Sequence, residues 1–172
     1  EVNNFINIYK NLYSRFDELR DNLNEDIKNN ITKINSINDQ IGELNSQIRM
    51  AYIGNSSPND LLDERDRLLD ELTKYVDTTI KKGDNGHIEL YVGQQVVVHG
   101  DIVTEIKTSV RPETLNTYDV FLRGNPIKIN GGELGSLIKL RDETIPNYLD
   151  KYDEMSLMLA DKLNLIHQAG YD

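Results

Sequence analysis

Carboxylates and imidazoles are the side chains through which this chain could do chemistry. Residues 59–72, NDLLDERDRLLDEL, set Asp60, Asp63, Glu64, Arg65, Asp66, Arg67 and Asp70 among five leucines and then add Glu71. Such a density suits the paired acids of a hydrolase or oxygen ligands for a divalent cation. An acid pair, however, needs a concave, partly dry pocket that drives its two pKa values apart. Helical spacing places these carboxylates otherwise. Leu61, Leu62, Leu68, Leu69, Leu72 and Val76 share one face, with Arg65 between them, while Asp63, Asp66, Asp70 and Glu71 lie around the other side. Asp63 with Arg67, and Asp70 with Lys74, are acid-to-base pairs four residues apart, each contributing about 0.3 kcal/mol on a helix exterior. The stretch reads as a solvated helix face.

The other candidates are weaker. His87, His99 and His167 are scattered along the sequence and no two stand at HxxxH spacing, so no metal site is expected. No loop of alternating Asp and Asn closes on a distal Glu as calcium binding requires. GDNG (83–86) is a turn. GGELG (131–135) has glycines ahead of a helix but lacks the lysine of a phosphate-binding loop, and Glu133 would repel phosphate while favouring the helix N-terminus. Nine tyrosines are present, and Tyr9, Tyr75 and Tyr152 fall on or near apolar stripes, as core-edge packing rather than a ligand cage. No nucleophile–base set stands out. Catalytic, metal and cofactor-binding residues are all expected to be absent.

Composition narrows the classes further. The 172 residues suffice for one core, and 19 basic against 29 acidic residues give a formal net charge of −10. That field repels phosphate backbones and anionic lipid, so neither nucleic acid nor membrane is an expected partner. Cysteine is absent, which removes disulfides, thiol catalysis and thiolate zinc sites. The chain opens on Glu1 with no signal-peptide pattern, as a segment of a longer protein would.

The elements that carry these residues are mostly helical. Val2, Phe5, Tyr9, Leu12, Phe16, Leu19, Leu23, Ile27, Ile31, Ile34, Ile37, Ile41, Leu44 and Ile48 step by three and four, predicting one helix of roughly 48 residues, on the order of 70 Å long, with a buried seam. YIGNSS (52–57) turns the chain. Ser57 as N-cap, Pro58 at the first helical position and Asp60 in the box position start a second helix. A third follows the reversal at Gly131-Gly132, with Leu134, Ile138, Ile145, Leu149, Tyr152, Leu159, Leu163 and Ile166 at helical spacing, and Pro146 should bend or break it. Between them HIELYV, Gly93-Gln94 and QVVVHG form a hairpin, DIVTEIKTSV and TYDVFLRGNPIKI supply further strands, and Arg111-Pro112 and Asn125-Pro126 mark loops or edges. The expected fold is mainly α with a small antiparallel β unit: residues 1–76 and 131–172 as an elongated bundle of three long helices, and residues 77–130 as an inserted β-rich subdomain of four or five short strands.

INSINDQIGELNSQI (34–48), NDLLDERDRLLDEL (59–72) with the following GHIELYVGQQVVVHG (86–100), and above all the block from Gly131 to Asp172 resemble the flagellar hook-associated protein 1 family. The last block carries Gly-Glu-Leu-Gly, then Arg-Asp-Glu, then Ile-Pro, then Asn-x-Ile-His-x-x-Gly-Tyr-Asp in order. The resemblance covers about residues 30–172. It implies a flagellin-like rod body and a non-enzymatic structural subunit of the bacterial flagellum, at the hook–filament junction. Its implied partners are the hook protein, the next junction protein (hook-associated protein 3) and other copies of itself. It also implies an extracellular location reached through the flagellar type III channel, and assembly through helical end segments that this stretch lacks. By itself the chain is then expected to be an elongated monomer. Two other classes fit the physics: a helical protein-binding adaptor or secreted effector with a coiled-coil rod, and a polysaccharide-active enzyme using tyrosines and acids.

Overall fold

The computed structural model describes residues 2–111 and 117–170. Pro112, expected with Arg111 to mark a loop or strand edge, lies outside the described residues. The fold is mainly helical, with small antiparallel sheets. Helix α1 (Val2–Ile53) is the long one, and α2 (Asn59–Tyr75) has 17 residues. Then come β1 (Thr78–Lys82), β2 (Ile88–Val92), β3 (Gln95–His99), β4 (Ile102–Val103), β5 (Ile106–Val110), β6 (Tyr118–Leu122) and β7 (Asn125–Pro126). Helix α3 (Gly132–Lys139), a π-helical turn (Leu140–Thr144) and α4 (Ile145–Gln168) follow. Two compact units result, one of residues 21–138 and one of residues 1–20 with 139–172.

In the larger unit the α1 stripe works as its spacing predicts. Ile27, Ile31, Ile34, Ile37 and Ile41 are buried in one cluster with Leu68, Leu69, Leu72 and Val76 at the end of and just beyond α2. The same cluster takes in Ile88, Leu90, Val92, Val97 and Val98 from β2 and β3, Ile106, Val120 and Leu122 from β5 and β6, and Leu134 from α3. A helix on this scale gains little from propensity, so burying this stripe is what holds it. Helix α2 starts differently from the expectation: Pro58, not Ser57, occupies the cap, and no side chain caps the helix. Pro58 is buried and its carbonyl accepts from Leu62 N at 3.0 Å, so the proline supplies the entry by its fixed φ and backbone.

The β region is richer than four or five strands. Among the described residues seven strands form two sheets, ordered β1-β2-β3-β4 and β5-β6-β7, all antiparallel. TTIKK, β1, gave no strand signal because its side chains are mostly polar and exposed; it pairs with β2 as an edge. Two-residue turns join β2 to β3 and β6 to β7. Gly93 and Gln94 (φ 53° and 67°), then Arg123 and Gly124 (φ 51° and 78°), take the left-handed conformations that match strand twist. Pro126 sits on the outermost strand, where its missing N–H breaks no ladder.

Gly132 reverses the chain as expected. Its φ is 71°, and a Cβ there would lie 2.5 Å from Val76 N and 2.6 Å from Tyr75 O, so only glycine lets α3 start this close to the end of α2.

In the smaller unit the helix does not break at Pro146. The five-residue π turn immediately before it opens the helix, and Ile145 N–H reaches back five residues to Leu140 O. Widening relieves the clash between the proline ring and the carbonyl four residues earlier, and the chain stays helical through Gln168. The expectation of a buried stripe fails here. Leu19 is 39 % exposed on α1, and on α4 Leu159, Leu163 and Ile166 are exposed along with Met155, Leu157, Met158 and Leu165. The spacing marks an apolar face, and within this unit no core covers it. No helix among the described residues is long and apolar enough to cross a membrane.

Candidate functional site

The acidic stretch is solvent-facing. Asp60, Asp63, Glu64, Asp66 and Asp70 are exposed, and Glu71 is half-buried. Arg67 pairs with Glu64 at 2.7 Å and with Glu71 at 3.3 Å, rather than with Asp63. The Arg67 hydrogen bond holds the Glu64 carboxyl below the usual carboxylate range, which is the opposite of what a general acid needs. These carboxylates line none of the clefts described below.

Arg65, in the middle of the same stretch, turns inward and is buried. Its Nη1 donates to Asn45 Oδ1 at 2.9 Å and to Gly86 O at 2.6 Å, and burial pushes its pKa down. Asn45 in turn donates from Nδ2 to Gly100 O at 2.6 Å. One guanidinium and one amide therefore tie α2, α1, the turn before β2 and the turn after β3 together. A second tie lies ten residues earlier on α1. Asn35 donates to Ile106 O (2.8 Å) and accepts from Ile106 N (2.9 Å), presenting to β5 the donor and acceptor that a neighbouring strand would. Asn35 and Asn45, two of the asparagines of residues 21–48, are thus docking groups for strand and turn backbone, a role their sequence pattern does not disclose. Arg49 adds an exposed bridge to Asp101 at 2.6 Å.

Two of the three histidines, His87 and His99, come together in space. His87 and Glu89, two apart on the outer face of β2, alternate with buried Ile88, Leu90 and Val92. The β2–β3 register shifts by one residue between Leu90 and Tyr91, so that Leu90 faces Val98 and Glu89 faces His99. Without that bulge at Val97, His99 would pair with Ile88 and its side chain would leave the face of Glu89. With it, His99 Nδ1 lies 3.0 Å from Glu89 Oε1, and the His87 and His99 rings meet edge to face at 5.0 Å. Tyr91 donates its hydroxyl to Glu89 Oε2 at 2.6 Å, and Lys81 Nζ donates to that hydroxyl at 3.2 Å. The Tyr91 hydrogen bond, then that of His99, hold Glu89 below the usual carboxylate range. Beside the two imidazoles opens a cleft of about 610 Å³, whose walls include Asn45, Tyr52, Asp84, Gly100 and Asp101. Among the described residues, His87, Glu89 and His99 are the group whose donor atoms could converge on one ion.

The smaller unit has its own polar cluster. Tyr9 donates to Asp153 Oδ1 at 2.5 Å, Tyr13 donates to the same oxygen, and the Tyr9 ring stacks at a tilt on Tyr13 (4.8 Å) and Tyr152 (5.7 Å). Tyr13 first and Tyr9 second hold Asp153 below the usual carboxylate range, while both phenols are pushed up. As read from the stripes, Tyr9 and Tyr152 pack; the shared carboxylate was not foreseen.

The model of the flagellar hook-associated protein FlgK helical domain matches residues 1–172. Flagellar hook-associated protein 1 of Salmonella typhimurium strain LT2 is 34 % identical over 157 residues, which is 85 % of this chain and 28 % of that protein. The Escherichia coli K12 protein of the same name is 30 % identical over 153 residues, 83 % of this chain and 28 % of its own length. Among solved structures, the flagellar hook junction protein FlgK from Burkholderia pseudomallei aligns with a TM-score of 0.68 at 25 % identity, covering 74 % of this chain and 25 % of that one. The chain spans just over a quarter of the length of these curated relatives.

Proposed function

The chain belongs to the FlgK family of flagellar hook-associated proteins, and on that premise we propose that it is the helical body of a structural subunit that joins hook to filament in a bacterial flagellum. The observation that carries this reading is the match of the family's helical-domain model along the chain from residue 1 to 172. In this role the protein catalyses nothing. Its work is mechanical: a packed helix–sheet unit, its strands fastened to α1 by Asn35, Asn45 and Arg65, keeps its shape within a tube under torque. Its partners are the hook protein on one side, hook-associated protein 3 on the other, and further copies of the same subunit. It works outside the cell, having passed through the flagellar type III channel, a route that a cysteine-free chain suits.

Antibody raised against the 172-residue chain tests this directly in the bacterium that encodes it. Immunogold label should collect at one narrow band where hook meets filament, and deletion of the gene should leave cells with hooks but no filaments. Label confined to the cell interior, or filaments of normal length in the deletion strain, would overturn the proposal.

A further inference from the structure

We propose that His87, Glu89 and His99 form a binding site for one divalent transition-metal ion, zinc being the reference, which staples the β2–β3 hairpin. The pleat of β2 puts His87 and Glu89 on one outer face, and the Val97 bulge brings His99 onto it from the next strand. One donor atom from each side chain lies within 4.8 Å of the others. The 3.0 Å between His99 Nδ1 and Glu89 Oε1 already approaches the roughly 3.3 Å that separates two ligands around a tetrahedral zinc, given metal–ligand bonds of about 2.0–2.1 Å. His87 is exposed, and a turn of its side chain has to close the remaining gap.

Two further features suit an ion. Tyr91 grips Oε2 of Glu89, which leaves Oε1 aimed at the imidazoles, the arrangement by which an outer partner orients a ligating carboxylate. The adjoining cleft leaves room for water in a fourth position. Two imidazoles and one carboxylate select zinc and its first-row neighbours over calcium and magnesium, which require oxygen-rich shells. His87 follows the turn that enters β2 and His99 ends β3, so an ion held between them fixes the open end of the hairpin opposite Gly93-Gln94.

Calorimetric titration of the 172-residue chain with zinc chloride tests the site. One equivalent should bind with a dissociation constant of about 10 μM or tighter, and zinc should raise the thermal midpoint. His87→Gln and His99→Gln, each exposed and each checked for an unchanged circular dichroism spectrum, should weaken binding at least about tenfold. Tyr91→Phe should weaken it by about tenfold while keeping the one-to-one stoichiometry, because Tyr91 positions Glu89 without touching the ion. In imidazole nitrogen NMR spectra zinc should shift His87 and His99 together, and magnesium should shift neither. Absence of stoichiometric zinc binding, or one-to-one binding that survives the His87→Gln/His99→Gln double variant, would overturn the proposal.

Discussion

Two stretches of one apolar stripe on α1 meet different fates. From Leu23 to Ile48 the stripe is buried except for the half-buried Leu44, with Ile27, Ile34, Ile41 and Ile48 wholly inaccessible; from Phe5 to Leu19 the side chains are half-buried or exposed. The same contrast separates the two compact units. Residues 21–138 enclose a continuous core of α1, α2 and both sheets. In residues 1–20 with 139–172, Ile145 is the one fully buried hydrophobic among the described residues, while a row of apolar side chains on α4 faces outward. Period alone does not distinguish these outcomes. A repeat of three and four residues states which face of a helix is apolar, and the presence of covering elements decides whether that face contributes stability.

Substitutions along the stripe sharpen the contrast. Ile41→Ala removes a fully buried side chain from the large core and should cost about 2–5 kcal/mol in urea denaturation. Arg65→Ala strips the donor from Asn45 Oδ1 and Gly86 O inside the same unit, and should cost about 3 kcal/mol by the same measurement. Leu19→Ala has the same spacing as Ile41 but an exposed side chain, and should cost under about 1 kcal/mol. Equal losses for Ile41→Ala and Leu19→Ala would show that burial does not divide the stripe here.

The small unit has a polar contact of its own. Asp153, held below its ordinary range by Tyr13 and Tyr9, contributes stability that is present above its unfolded pKa and lost as pH falls through its lower folded one. Carboxyl NMR should find Asp153 titrating below the usual range for an aspartate. Tyr13→Phe, which removes the leading cause, should raise that pKa, with no change in the large unit's spectrum.

Much of the architecture is legible in the residues themselves. The isoleucine ladder, the inward face of α2 with Arg65 in it, the Gly93-Gln94 hairpin turn and the Gly131-Gly132 reversal all follow from spacing and backbone preference. What escaped depends on partners distant in sequence. Asn35 and Asn45 look like ordinary polar helix residues until a strand edge or turn carbonyl arrives to be bonded. The β1 strand is polar, and its identity comes from pairing with β2. His87, Glu89 and His99 converge only because one bulged residue changes a register, and no linear spacing rule encodes that. The outward face of α4 escaped for the converse reason, since an apolar period looks the same covered or bare.

Native-state hydrogen exchange followed by mass spectrometry puts the division to the most direct test, because it reads the stability of each segment separately. Peptides from residues 27–48 and 88–99 should exchange only through near-global unfolding and share one high protection. Those from residues 145–166, helical but with most apolar side chains exposed, should exchange through local opening with far lower protection. Protection in 145–166 as strong as in 27–48 would contradict the account.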